Sequence, residues 1–170
     1  MQPALLENCR SLLTELGLIS SYNTLVAYPL TGGVASDIAM VQFDNRKLCV
    51  KFALPKLRVK EDWFAPVHRS SAEYEWLQVV SKIAPVSSVK LLGQSTRLHG
   101  FVMESLEGDD TYLWKTALLN ETPERGEASM VGELIGRVHA ASTSSRFDTR
   151  PSYFKAVSYT HLTLPTTPYV

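Results

Sequence analysis

Apolar residues recur at helical spacing at the start of the chain. Leu5, Leu6, Cys9, Leu12, Leu13 and Leu16 fall on one side of a helix that Pro3 can open and Gly17 stops. Such a helix reads as a lid or brace on whatever follows. The period then shortens. Leu25-Val26-Ala27-Tyr28, Ile38-Ala39-Met40-Val41-Gln42-Phe43 and Leu48-Cys49-Val50-Lys51-Phe52-Ala53 are β-type runs. Asp44-Asn45-Arg46 joins the last two as a tight hairpin turn. Helical spacing resumes at His68 and lasts to about Ala84, where Pro85 stops it. Residues 89–93 and 101–104 read as a strand pair around a polar turn at 94–100. A short helix over about 111–119 follows, then a longer one from Pro123 to about Ala141. The longer helix carries Met130, Val131, Leu134, Ile135 and Val138 on a broad apolar face. The order is helix, three strands, helix, strand pair and two helices, and the fold class expected is α+β.

The first turn of this three-strand meander is Leu30-Thr31-Gly32-Gly33-Val34-Ala35-Ser36-Asp37. Paired glycines let backbone approach a ligand, and successive N–H groups in such a bend form an anion-binding concavity. Lys51, in the third strand, is placed to meet the same anion as a point charge. Taken alone, Gly-Gly at a hairpin is more often just a turn, and the Gly-Lys-Ser/Thr ending of a Walker loop is missing. The next helix adds a second observation. At about 100° per residue, Glu73 shares a face with Trp76, Leu77, Val80 and Ala84, while Glu75 points to the opposite side. A carboxylate in an apolar stripe is costly unless paired, and Lys51 is the nearest candidate partner. The bland alternative is a single snorkelling glutamate. A glycine bend, a strand lysine and a glutamate on the following helix make up the nucleotide-clamping set of the kinase fold.

Over residues 29–119 the chain resembles the N-terminal part of the aminoglycoside phosphotransferase family, small-molecule kinases related to choline and methylthioribose kinases. The segments that carry the likeness are Leu-Thr-Gly-Gly-Val-Ala-Ser-Asp-Ile (30–38), Cys-Val-Lys-Phe-Ala-Leu-Pro-Lys-Leu (49–57), Glu-x-x-Trp-Leu (73–77), Phe-Val-Met-Glu (101–104) and Trp-Lys (114–115). Gly-Arg-Val-His-Ala-Ala (136–141) extends it. The resemblance implies a protein-kinase-like small lobe, an antiparallel sheet plus helix, with the first helices of an α-helical large lobe. It implies ATP or GTP with Mg²⁺ as cofactors and a small-molecule hydroxyl as acceptor. It assigns Thr31, Gly32, Gly33, Val34, Ala35 and Ser36 to the phosphates, Lys51 to the α/β-phosphates and Glu73 to holding Lys51. The resemblance also implies that Cys49, on the strand face of Lys51, should roof the adenine ring and that Met103 should back the adenine pocket. The Glu104 carbonyl and Leu106 N–H are then the hinge groups that bond adenine.

Composition narrows the partners. Of 170 residues, 45% are hydrophobic and 20% charged, ordinary for a globular domain with a proper core. Lys plus Arg and Asp plus Glu number 17 each, so no global charge favours nucleic acid or an anionic membrane. Cys9 and Cys49 lack metal-ligand spacing; two buried thiols and no secretory signal favour a reducing cytoplasm. No apolar run approaches transmembrane length. Oligomeric state is left open.

Three further stretches admit two readings. The 54–67 connection, mixed in charge and bounded by prolines, reads as a solvated loop, with a lobe-specific insert facing phosphates or substrate as the alternative. Trp114 and Lys115 read as core or interface before substrate clamp. His139 has no acidic residue at a supporting spacing and reads as structural.

The chain departs from the family in its second half. Family members transfer the γ-phosphoryl group through an Asp in a His-Gly-Asp loop, with a later Asn and a second, metal-binding Asp. No such motif occurs here, and Asp148 is the only acid left downstream. No catalytic or metal-binding residue is therefore assigned. From Val157 the sequence has no Lys, Arg, Asp or Glu, and Val157 to Thr167 resembles a translated sequencing-library adapter. The expected organisation is 1–106 as nucleotide-binding small lobe and hinge, 107–156 as the start of a truncated large lobe, and 157–170 as a non-native tail. The apolar face over 130–138 should then be partly bare. The expectation for function is the ATP-binding part of a small-molecule kinase, inactive as a fragment. A non-catalytic nucleotide-binding or scaffold protein is the alternative, and a plain α+β interaction domain would leave Glu73 without purpose. The gene beyond codon 156 separates kinase from scaffold.

Overall fold

The computed structural model describes residues 3–20, 22–30, 33–106, 111–121 and 126–142. Its elements run α1 (Pro3–Glu15), β1 (Val26–Leu30), β2 (Ser36–Phe43), β3 (Arg46–Ala53), α2 (Arg69–Ile83), β4 (Leu91–Ser95), β5 (Gly100–Glu104), α3 (Trp114–Leu119) and α4 (Glu127–Ser142). The fold is α+β. The strands form one antiparallel sheet in the order β1-β2-β3-β5-β4, so β3 lies in the middle and the β4–β5 hairpin joins it through β5. The meander, the helix after β3 and the returning hairpin make up the expected antiparallel sheet plus helix.

The chain divides into two compact units, Met1–Gln78 with Val89–Ser105, and Val79–Ser88 with Leu106–Val170. In the first, α1 covers one face of the sheet. Leu5, Cys9, Leu12 and Leu13 form a buried core with Ala39, Val41, Leu48, Val50, Phe52 and Val102. The helix ends as its sequence demands. Gly17 adopts φ +67°, its N–H donates to Thr14 O at 3.0 Å, and Leu18 N–H reaches back to Leu13 O at 2.9 Å. That pair of bonds is a Schellman cap, which needs a left-handed residue where glycine stands.

Several boundaries differ from the sequence reading. The β2–β3 hairpin turns on two residues, Asp44 and Asn45, both at positive φ, because a two-residue turn of this hand matches the strand twist. Arg46 therefore belongs to β3. β1 runs further, to Leu30, and takes in Pro29, which an edge strand tolerates. β4 starts two residues late, with an irregularity between Leu91 and Gly93.

The second unit carries α3 and α4. On α4, Val138 is buried, while Met130 (69% exposed), Val131 and Ile135 are open to solvent, so the expected bare apolar face is present. Trp114 and His139 are half-buried; Lys115 is exposed. Pro123, Asp148 and the 157–170 tail lie outside the described residues. No helix among those described is long and apolar enough to cross a membrane.

Candidate functional site

The two faces of β3 have different surroundings. Leu48, Val50 and Phe52 alternate inward against α1 and are buried, whereas Cys49, Lys51 and Ala53 point the other way and are half-buried. Register extends this second face across the sheet. Lys51 lies opposite Ile38 on β2 and Phe101 on β5; Cys49 lies opposite Met40 and Met103. Cys49 and Lys51 thus share one strand face, flanked by half-buried Ile38, Met40 and Met103. Burial pushes the Cys49 thiol above its ordinary pKa, with the nearby Lys51 charge opposing the rise. Cys49 is half-buried, not buried as its strand position suggested, because the helix packs on the opposite face. Cys9, within that core, is pushed up to about 12 by burial first, with Asp37 and Cys49 adding to it.

Helix α2 lies against the second face. Tyr74 meets Phe101 with ring centroids 5.8 Å apart, and the Lys51 ammonium donates to the Glu73 carboxylate. The side chains of this pair are 21% and 40% exposed. That degree of exposure makes it an ion pair reachable from solvent, with its energy reduced by screening. The apolar stripe differs in detail from the periodicity. Ala72, Val79, Val80 and Ala84 are the buried positions, Trp76 and Leu77 are half-buried, and Glu73 sits beside the stripe facing the strand. Glu75 is half-buried too.

The glycine bend is described from Gly33 onward; Thr31 and Gly32 lie outside the described residues. A Cβ on Gly33 would stand 3.2 Å from Ser36 O, so the bend folds closely on itself. Val34 is exposed, and Ala35 and Ser36 are half-buried. The Val34 carbonyl accepts from Arg58 N–H at 2.8 Å and the Ala35 carbonyl from Leu54 N–H at 3.0 Å.

These bonds come from the 54–67 connection, which is more than a solvated loop. It folds back as a small hairpin, with Leu57 N–H on Trp63 O at 2.9 Å, Ala65 N–H on Pro55 O at 3.0 Å and a bridge between Lys56 and Phe64. Lys56 pairs with Asp62 at 2.5 Å, and Arg58 pairs with Asp37 at the foot of β2. The hairpin presents Trp63 and Phe64 to solvent, 60% and 68% exposed. The sequence reading missed Asp37, Arg58 and Arg69 as supports of the bend. A signal existed for Arg69: a cation in the first turn of a helix opposes the macrodipole and needs another reason to be there.

At the end of β5, Met103 is half-buried and Glu104 exposed. Glu104 N–H donates to Lys90 O at 2.9 Å, and its carboxylate lies 3.4 Å from the Lys90 ammonium. Leu106 falls in the second unit and is exposed. Among the described residues no group of three or more His, Cys, Asp or Glu could hold a metal ion.

No family model matches the chain, and no curated protein matches its sequence. Among solved structures it is similar to a crystal structure from Thermobifida fusca YX-ER1, provisionally named a fructosamine-3-kinase, at 12% identity and a TM-score of 0.43. The match covers 75% of this chain and spans 38% of the solved one.

Proposed function

We propose that the chain is the nucleotide-binding portion of a small-molecule kinase of the aminoglycoside phosphotransferase kind. The parent would transfer the γ-phosphoryl group of ATP or GTP to a hydroxyl of a small acceptor. The observation that carries this reading is the Lys51–Glu73 pair, held on the half-open sheet face that also bears Cys49 and Met103. A lysine whose geometry is fixed by a helix carboxylate is pre-organised to meet phosphate oxygens. The apolar positions beside it suit a flat base, which a half-buried face of Ile38, Met40, Cys49 and Met103 would shield from water. The reading assigns the amides of 33–36 to the phosphates and builds on the first unit alone. Mg²⁺ would enter with the nucleotide; no described residue is assigned to it. With no His-Gly-Asp motif in the sequence, the chain should bind without turnover. Neither nucleic acid nor membrane is proposed as a partner, and the proposed compartment is the cytoplasm.

Calorimetric titration of the purified chain with ATP and with adenosine tests this. Saturable ATP binding that is weakened about tenfold or more in Lys51→Met is expected, the size of one charge-assisted contact. Equal affinity in wild type and Lys51→Met, or no binding at all, would overturn it.

A further inference from the structure

Arg69 opens α2, and its guanidinium reaches four backbone carbonyls on three segments. Nη1 donates to Ala65 O at 3.1 Å and Pro66 O at 2.9 Å, where the 54–67 hairpin closes. Nη2 donates to Leu54 O at 2.7 Å, just beyond β3, and to Ala35 O in the glycine bend. One planar group therefore ties the bend, the strand that carries Lys51 and the hairpin to the start of the helix that carries Glu73. Glu73 lies one turn further along α2, and its charge acts on Arg69 across that turn. The bend accepts from the hairpin independently, through Val34 O and Ala35 O, and Arg58 pairs with Asp37 where β2 begins.

We infer that Arg69 is a positioning residue that sets the register of the 33–36 bend relative to Lys51, so that both address one anion. This rests on the nucleotide reading above. Only arginine suits the position, because a guanidinium presents its donors in a fixed fork and an ammonium does not. Four carbonyls directed at one cation also leave the polypeptide with aligned acceptors that would repel one another if the charge were removed. The bend should then swing away from the strand, while the base-binding face of Cys49 and Met103 stays as it is.

The test uses Arg69→Lys and Arg69→Met in the whole chain, with Arg58→Gln as a milder variant that loosens the same bend from the other side. Two measurements are made on each: amide hydrogen exchange at Leu54 and Arg58, whose N–H groups report the bend, and affinity for ATP against adenosine. Arg69→Lys and Arg69→Met are expected to speed exchange at both amides and to weaken ATP about tenfold or more, with adenosine changed less than about twofold. Lysine should not rescue. Arg58→Gln should move both readouts in the same direction by less, and supplies the answer if an Arg69 variant fails to fold. Unchanged exchange overturns the staple. Faster exchange with ATP and adenosine weakened equally overturns the positioning role and leaves a structural one. A wild-type chain that binds neither ligand overturns the nucleotide reading and the positioning role together, and exchange then decides the staple by itself.

Discussion

The two faces of one sheet were put to different uses by residues that alternate along the same strands. On the α1 side, Leu12, Leu13, Val41, Val50 and Val102 are fully buried in one apolar cluster. On the α2 side, Lys51 meets a carboxylate, Cys49 and Met103 are half-covered, and Cys49, Lys51 and Ala53, which face this way from β3, are all half-buried. Phe101, buried beside Tyr74, is the packed part of that face; the Lys51–Glu73 pair itself adds little to stability, since a pair exposed to this degree contributes modestly. If the nucleotide proposal holds, position parity along β3 separates the packed core from the binding face, and each can be tested without the other.

The largest effect should come from the closed face. Leu12→Ala is expected to lower unfolding free energy by about 2–5 kcal/mol, and Cys49→Ala by less than about 1 kcal/mol, in urea denaturation. Similar losses at both sites would abolish the contrast. The next effect belongs to the open face: Glu73→Gln should weaken ATP binding several-fold by freeing Lys51, with Glu75→Gln close to wild type. Equal losses at 73 and 75 would remove Glu73 from the site.

Thiol chemistry sharpens the comparison by a smaller margin. Both thiols have raised pKa values, so the reactive thiolate is scarcer at pH 8 than in a free cysteine, and alkylation should accelerate steadily from pH 7 to pH 9. Maleimide should modify Cys49 well before Cys9, and ATP should slow only Cys49; mass spectrometry of the labelled peptides reads the order. The smallest effect concerns Glu15, held below its usual 4.5 by hydrogen bonds from Ser95 and Arg97. A depressed carboxyl stabilises the fold above its unfolded pKa and loses that contribution as pH falls through the folded value. Glu15→Gln should therefore narrow the gap between stability at pH 6 and at pH 3, by an amount small enough to need chemical denaturation to see.

Much of this was legible because it follows from period. Apolar alternation located β2 and β3, the Leu5-to-Leu16 spacing located α1, and a lone acid among apolar helix positions pointed to Lys51. What could not be read was contact made through backbone. The Arg69 guanidinium and the Arg58 N–H choose carbonyls, which every residue possesses, so nothing in the identities of Ala35, Leu54 or Pro66 announces the staple. The 54–67 hairpin escaped for a related reason: its mixed charges resemble a solvated loop until Lys56 and Asp62 are seen to face each other across it. The stripe on α2 differs in detail, with Trp76 and Leu77 only half-buried, because periodicity gives the faces of a helix and not which neighbour each one meets.

The strand order β1-β2-β3-β5-β4 carries a consequence for synthesis. β3 is flanked on one side by β2, which precedes it, and on the other by β5, which the ribosome delivers only after α2 and β4. During that interval the sheet's central strand is an edge, with the apolar Leu48-x-Val50-x-Phe52 row already made and its outer hydrogen-bonding groups unmatched. An open apolar edge invites pairing with a neighbouring nascent chain. Lys47 and Lys51 place positive charge along that temporary edge, and two such edges brought together would repel.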